Sequence, residues 1–199
     1  MSLPLSGPVG LVLPEPNAPF SAEQVEERTS TAPDGTLITK VVVNRVYRDN
    51  AGRVRVEWRV SEPPTAALDI IYLIDPVSAS VTILFVEPKI AYRTAVPRSN
   101  PGGFQVGFPM VGEPFPKAES QMTTESLGTR ITEGVEVQGT RTTATAYLRE
   151  TWSSQALGLM LTVEASGPDW KHTAKLQNLD RQEPDASLFV IPPEYSIQD

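Results

Sequence analysis

Along most of this chain apolar and polar residues alternate with a period of two, and the three-to-four spacing of an amphipathic helix is almost absent. Residues 53–60 show it plainly. Val54, Val56, Trp58 and Val60 share one parity, while Arg53, Arg55, Glu57 and Arg59 share the other. The longest such region is 127–165, rich in Thr, Val, Ile, Tyr and Trp. It reads as strand, tight turn at Glu133-Gly134, strand, short break, strand, turn at Ser153-Ser154-Gln155, strand. Residues 140–145 (TRTTAT) are polar on nearly every position, so one face there meets water. Leu157, Leu159, Leu161 and Val163 alternate with Gly158, Met160, Thr162 and Glu164, so the other face is buried. The pattern predicts one broad antiparallel sheet with one wet side, and the rest of the chain extends it.

Residues 1–20 hold Pro4, Pro8, Pro14, Pro16 and Pro19 and read as an extended or disordered arm, because proline cannot donate to a strand ladder. Residues 21–31 fit either a helix capped by Ser21 or the first strand of a hairpin; the Pro33-Asp34-Gly35 turn that follows favours the hairpin. Residues 37–48 form the next strand, and the turn at 49–52 leads into 53–60. After Pro63-Pro64, an apolar run at 68–74 ends in Asp75-Pro76; residues 80–86 and 89–96 complete a meander. Residues 97–119 differ, with prolines and glycines interleaved with Phe104, Phe108, Met110 and Phe115. A loop of that length in a compact domain is usually functional, and its aromatics need a surface to cover. Trp170, His172, Ala174 and Leu176 share one side of a further strand; 185–189 reads as a single helical turn capped by Asp185, before a tail in which Tyr195 and Ile197 can pack. The total is about ten or eleven strands with minimal helix.

A chain of 199 residues suits one large β domain, and residues 21–197 are expected to form it. The formal charge of -7 argues against nucleic acid, whose phosphates demand Lys and Arg. With no cysteine, disulfides, thiol catalysis and Cys-ligated metals are excluded. No stretch approaches the ~20 apolar residues of a membrane-spanning helix. The first residues lack the basic start of a signal peptide, so the chain is expected to be either an exported protein whose signal has been removed or a cytoplasmic one.

Candidate chemistry is sparse. His172 is the single histidine and reads as a strand residue without a catalytic partner; one histidine and no cysteine offer too few soft ligands for a transition metal. Asp34, Asp49, Asp75 and Asp169 sit at turns, where Asp accepts local amides. Phosphate-loop, dinucleotide-binding and nucleophile-elbow motifs are all missing, so neither catalysis nor a cofactor is expected. Arg45, Arg53, Arg55, Arg59 and Arg93 read as a solvated strand face, with contact to an anionic headgroup or an acidic partner as the alternative. Val54, Val56, Trp58, Ile70, Tyr72, Ile74, Ile83, Phe85 and Tyr92 lie on adjacent strands, as an ordinary core or as the lining of a cavity.

Several motifs resemble those of bacterial envelope proteins. They are Leu127-Gly128 with Ile131 and Glu133-Gly134-Val135, Glu150-Thr151-Trp152 with Leu157-Gly158-Leu159, and the tail Pro184-Asp185-Ala186-Ser187-Leu188-Phe189 running on to Tyr195. Near the start, residues 19–25 and 46–53 are similar to uncharacterised exported proteins of acidobacteria-type genomes. Taken together, residues 20–197 resemble the superfamily of LolA, LolB and the RseB N-terminal domain. The resemblance implies a single antiparallel sheet curved into an incomplete, half-barrel form, with an apolar concave side that takes acyl chains under a lid. The helical lid is largely missing here, with 97–119 expected in its place, so lipoprotein transfer itself is not carried over. The expected ligand-binding residues are Val56, Trp58, Tyr72, Ile83, Phe85, Tyr92, Phe104 and Phe108. The expected partner is a lipid or acyl chain in the periplasm. The alternative is an RseB-like interaction module that contacts an envelope protein and takes no small ligand.

Overall fold

The structure is a computed structural model, and it describes residues 15–58, 70–95 and 122–198. Twelve strands form one sheet. The first meander holds β1 (Phe20–Thr31), β2 (Leu37–Arg48), β3 (Val54–Trp58), β4 (Ile70–Asp75), β5 (Ser80–Phe85) and β6 (Ile90–Ala95). The second holds β7 (Thr123–Thr132), β8 (Val135–Ala144), β9 (Tyr147–Ser154), β10 (Leu159–Ser166) and β11 (Trp170–Asp180). A 3-10 turn at Ala186–Phe189 and a short β12 (Ser196–Gln198) follow. The spatial order is β12-β6-β5-β4-β3-β2-β1-β11-β10-β9-β8-β7, and among the described residues it does not close into a barrel.

Each meander is laid down by local turns. Asp34 accepts the Thr36 amide at 2.9 Å, and Asp75 accepts those of Val77 and Ser78 at 2.8 and 3.1 Å. These are Asp residues mimicking a backbone turn, as the sequence predicts. The halves are then joined by β1 against β11, residues some 150 apart in the chain (Glu26 opposite Ala174). Residues 21–31 are thus strand, in register with both β2 and β11.

The sheet is bent. The amide of Leu179 on β11 donates to the Glu133 carboxylate in the β7–β8 turn at 3.4 Å. Strands β9 and β10 lie between those two elements. At ~4.8 Å per strand, a flat sheet would hold β8 and β11 roughly 14 Å apart. The bend lets the sheet cover its own inner face. Phe20, Val54, Tyr72, Ile74, Leu161 and Val163 are among the buried members of one apolar cluster there. Leu157, Leu159, Leu161 and Val163 all join or pack against it, as their alternation requires.

Arg48 closes one end of this core. It is fully buried, with Nε donating to Ala18 O at 2.8 Å and Nη2 to Leu157 O at 2.6 Å. Its guanidinium lies 5.0 Å over the Phe20 ring. Burial pushes its pKa down to about 10, against the pull of Glu15, so it stays charged at neutral pH.

The outer face of β3–β6 is covered by the C-terminal tail. Asp185 accepts the Ser187 amide at 2.8 Å and starts the 3-10 turn, as expected. Arg55 Nη1 donates to Leu188 O at 2.9 Å while its Nε binds Glu57 at 2.9 Å. Arg53 pairs with Asp49 and lies 5.2 Å over the Phe189 ring. Arg45 and Arg93 are exposed, as a solvated face requires, whereas Arg53 and Arg55 hold the tail down; Arg59 lies outside the described residues. Ile191 and Tyr195 pack on a second buried cluster of Ile71, Leu73, Leu84 and Ala91. The tail ends as β12, paired in parallel with β6, a strand that local pattern did not indicate.

Candidate ligand-binding face

Cross-strand register sets the geometry of the inner face. Val56, Tyr72, Ile83 and Tyr92 stand opposite one another on β3, β4, β5 and β6. Trp58, Ile70, Phe85 and Ile90 form the next row. The two rows together contain six of the eight residues expected from sequence to bind ligand. Exposure grades across them. Val56 and Tyr72 are 1% exposed and Ile83 8%, closed over by the chain itself. Trp58, Ile70 and Phe85 are half-buried, and Tyr92 is 37% exposed. Burial also pushes the Tyr72 phenol up from its ordinary value. The rings stack loosely, Trp58 against Tyr72 at 6.2 Å and Phe85 edge-on to Tyr92 at 5.8 Å. Such ring pairs hold shape while leaving an accessible apolar surface. Phe104 and Phe108 lie outside the described residues.

Next to this apolar half lies a polar centre that sequence reasoning passed over. On β1 the residues following Phe20 and Ala22 on the inner parity are Gln24, Glu26 and Arg28. Gln24, Glu26, Asn44 and His172 are all buried. Glu26 accepts from Gln24 Nε2 at 2.9 Å and from Arg28 Nη2 at 3.2 Å, and its Oε2 is 3.5 Å from His172 Nε2. The available signal was polar residues on the inward parity of a strand; it becomes visible only once residues 21–31 are assigned as strand.

Two recesses lie elsewhere. An open groove of about 970 Å³ runs over the outer face, between Leu73, Thr82 and Arg93 of the sheet and Phe189, Val190 and Ile191 of the tail. A second, of about 390 Å³, lies between the β7–β8 and β9–β10 turns. Among the described residues no three His, Asp or Glu side chains group to hold a metal ion, and no helix is long and apolar enough to cross a membrane.

No family model matches the chain, and no curated protein does. Solved structures with a similar arrangement include a LolA superfamily protein from Nitrosomonas europaea, at 10% identity over 88% of this chain and 91% of that one, with a TM-score of 0.41. A putative outer membrane lipoprotein-sorting protein domain from Vibrio parahaemolyticus matches at 11% identity over 85% and 88%, with a TM-score of 0.35. The first carries the superfamily name that the sequence motifs resemble. An uncharacterized conserved protein from Thermus thermophilus matches at 12% identity over 91% of this chain and 90% of that chain, with a TM-score of 0.53, and with it this chain shares its fold.

Proposed function

We propose that this chain is a non-catalytic, exported protein that binds the apolar chain of a lipid on the inner face of its bent sheet. The observation that supports this most directly is the exposure gradient across β3–β6. A face buried to 1% at Val56 and Tyr72 opens into half-buried Trp58, Ile70 and Phe85 and exposed Tyr92. The described residues supply no helical layer to cover that end. Apolar surface left at the mouth of a sheet's inner face gains by covering, and an acyl chain contributes about 0.8 kcal/mol per methylene removed from water. Trp58, Phe85 and Tyr92 are the contact residues, while Val56, Tyr72 and Ile83 form the floor that holds them in place.

The test is calorimetric titration of the intact protein with dodecyl maltoside below its micelle concentration. Saturable binding is expected, and Trp58→Ala combined with Phe85→Ala should weaken it at least ~10-fold while the far-ultraviolet circular dichroism is kept. If the unmodified protein binds neither this probe nor a charged dodecyl amphiphile, the reading fails and the interaction-module alternative takes its place.

A further inference from the structure

The same register that builds the apolar rows also sorts charge between the two faces of the sheet. One inner row runs Lys40, Arg28, His172, Ala165, Arg149, Thr142 and Thr124 across β2, β1, β11, β10, β9, β8 and β7. It contains three formal cations and the lone histidine, with no carboxylate. In the row beside it, Glu26 is the single acid, and the hydroxyls of Thr140 and Thr151 stand 2.7 Å apart. The outer row one residue away carries Glu27, Glu164, Glu150 and Glu125 against Arg141. Cations there are matched: Arg141 lies 2.7 Å from Glu150 and 2.8 Å from Glu125, and Lys175 lies 3.8 Å from Glu164. In that one inner row they are in excess among the described residues, in a chain whose net charge is -7.

Burial makes this excess matter. His172 is 3% exposed and the Arg28 side chain 36%. Arg149 is half-buried, and its Nε is shut from water without a hydrogen-bond partner among the described residues. A guanidinium in such a place is costly unless an acceptor completes it. Glu26 offsets one of the three cations and is already engaged by Gln24 and Arg28. Along β2, Lys40 lies four residues from Asn44, whose row adjoins the Trp58 end of the apolar patch. At ~3.3 Å per residue the cationic row and the apolar patch are separated by about 13 Å.

We infer that the ligand of this face is an anionic amphiphile, its phosphate or carboxylate head drawn to the row of Arg28, Arg149 and Lys40 and its chain laid toward Trp58 and Phe85. Arg presents paired donors to such oxyanions, and Thr142 and Thr151 add hydroxyls beside them. This inference rests on the lipid-binding reading above and adds the sign of the head.

Four probes separate the two. The intact protein is titrated with dodecyl phosphate, dodecyl maltoside, dodecyltrimethylammonium and inorganic phosphate. Dodecyl phosphate should bind at least ~10-fold tighter than the maltoside, and the cationic probe weakest. Arg28→Gln with Arg149→Gln should remove that preference, so that dodecyl phosphate binds no tighter than the maltoside. Lys40→Gln, at an exposed position, should reduce it several-fold with no effect on folding. Equal affinity for anionic and neutral probes would overturn the inference and leave the lipid reading standing. Inorganic phosphate binding as tightly as dodecyl phosphate would overturn it too, since the site would then take a free anion. If none of the three amphiphiles binds, both readings fall together.

Discussion

The two halves of the sheet are built from the same kind of hairpin yet are covered differently. In β4 and β5 all four central residues are buried, Ile71 to Ile74 and Val81 to Leu84. The bend closes over one side and the tail over the other. In β7 eight of the ten residues are exposed, and in β8 the burial simply alternates from Val135 to Gly139. Sequence follows cover. The doubly covered strands read IIYLID and SVTILF, near-continuous apolar runs, whereas β8 reads VEVQGTRTTA. The lesson is that the number of wet faces, not strand formation itself, sets the composition of a strand.

The largest effect should come from breaking the doubly covered half. Leu84 is fully buried between the sheet and the tail, and Leu84→Ala should cost about 2–5 kcal/mol in urea unfolding. Thr143→Ala, on an exposed position of β8, should change stability by no more than about 0.5 kcal/mol. Equal losses at both positions would erase the contrast.

A smaller effect tests the tail as cover. Arg55→Ala removes the donor to Leu188 O and strands Glu57 in a largely buried site. A loss of about 1–3 kcal/mol is expected, with faster proteolysis within 181–198. Proteolysis at the wild-type rate would mean that the tail is held by its apolar contacts alone.

The smallest effect is a dependence on pH. The Ser187 amide holds the exposed Asp185 carboxyl below its ordinary value. A depressed folded pKa adds stability above the unfolded pKa of ~3.9 and loses it as pH falls through the folded value. Protection of the Ser187 amide against exchange should therefore be lost only in acid below about pH 4, and Asp185→Asn should abolish that step.

Much of the candidate site was legible in the chain, for a physical reason. Val56, Trp58, Tyr72, Ile83, Phe85 and Tyr92 belong to hairpins whose partners are neighbours in sequence, so parity plus turn position places them together. The cationic row was not legible. Arg28 and His172 meet through β1 against β11, and nothing local announces that pairing. Gly139 makes the same point. Its missing Cβ leaves room for the Trp152 ring, whose nearest atoms would lie 2.7 Å from a Cβ at that position, while Arg130 stacks at 3.8 Å. Along the sequence it is only a glycine within a strand.

From the residues alone, then, came the strands, most of their turns and the inward parity of each meander, because backbone pleat and Asp or Gly turn chemistry act over a few residues. The tertiary structure decided the rest: that the meanders join through their outermost strands, that the tail returns as a parallel strand to dry a second face, and that Arg28, His172 and Arg149 come into one cross-strand row. Those outcomes depend on contacts between residues more than a hundred positions apart, where loop closure and burial of whole surfaces outweigh any local preference.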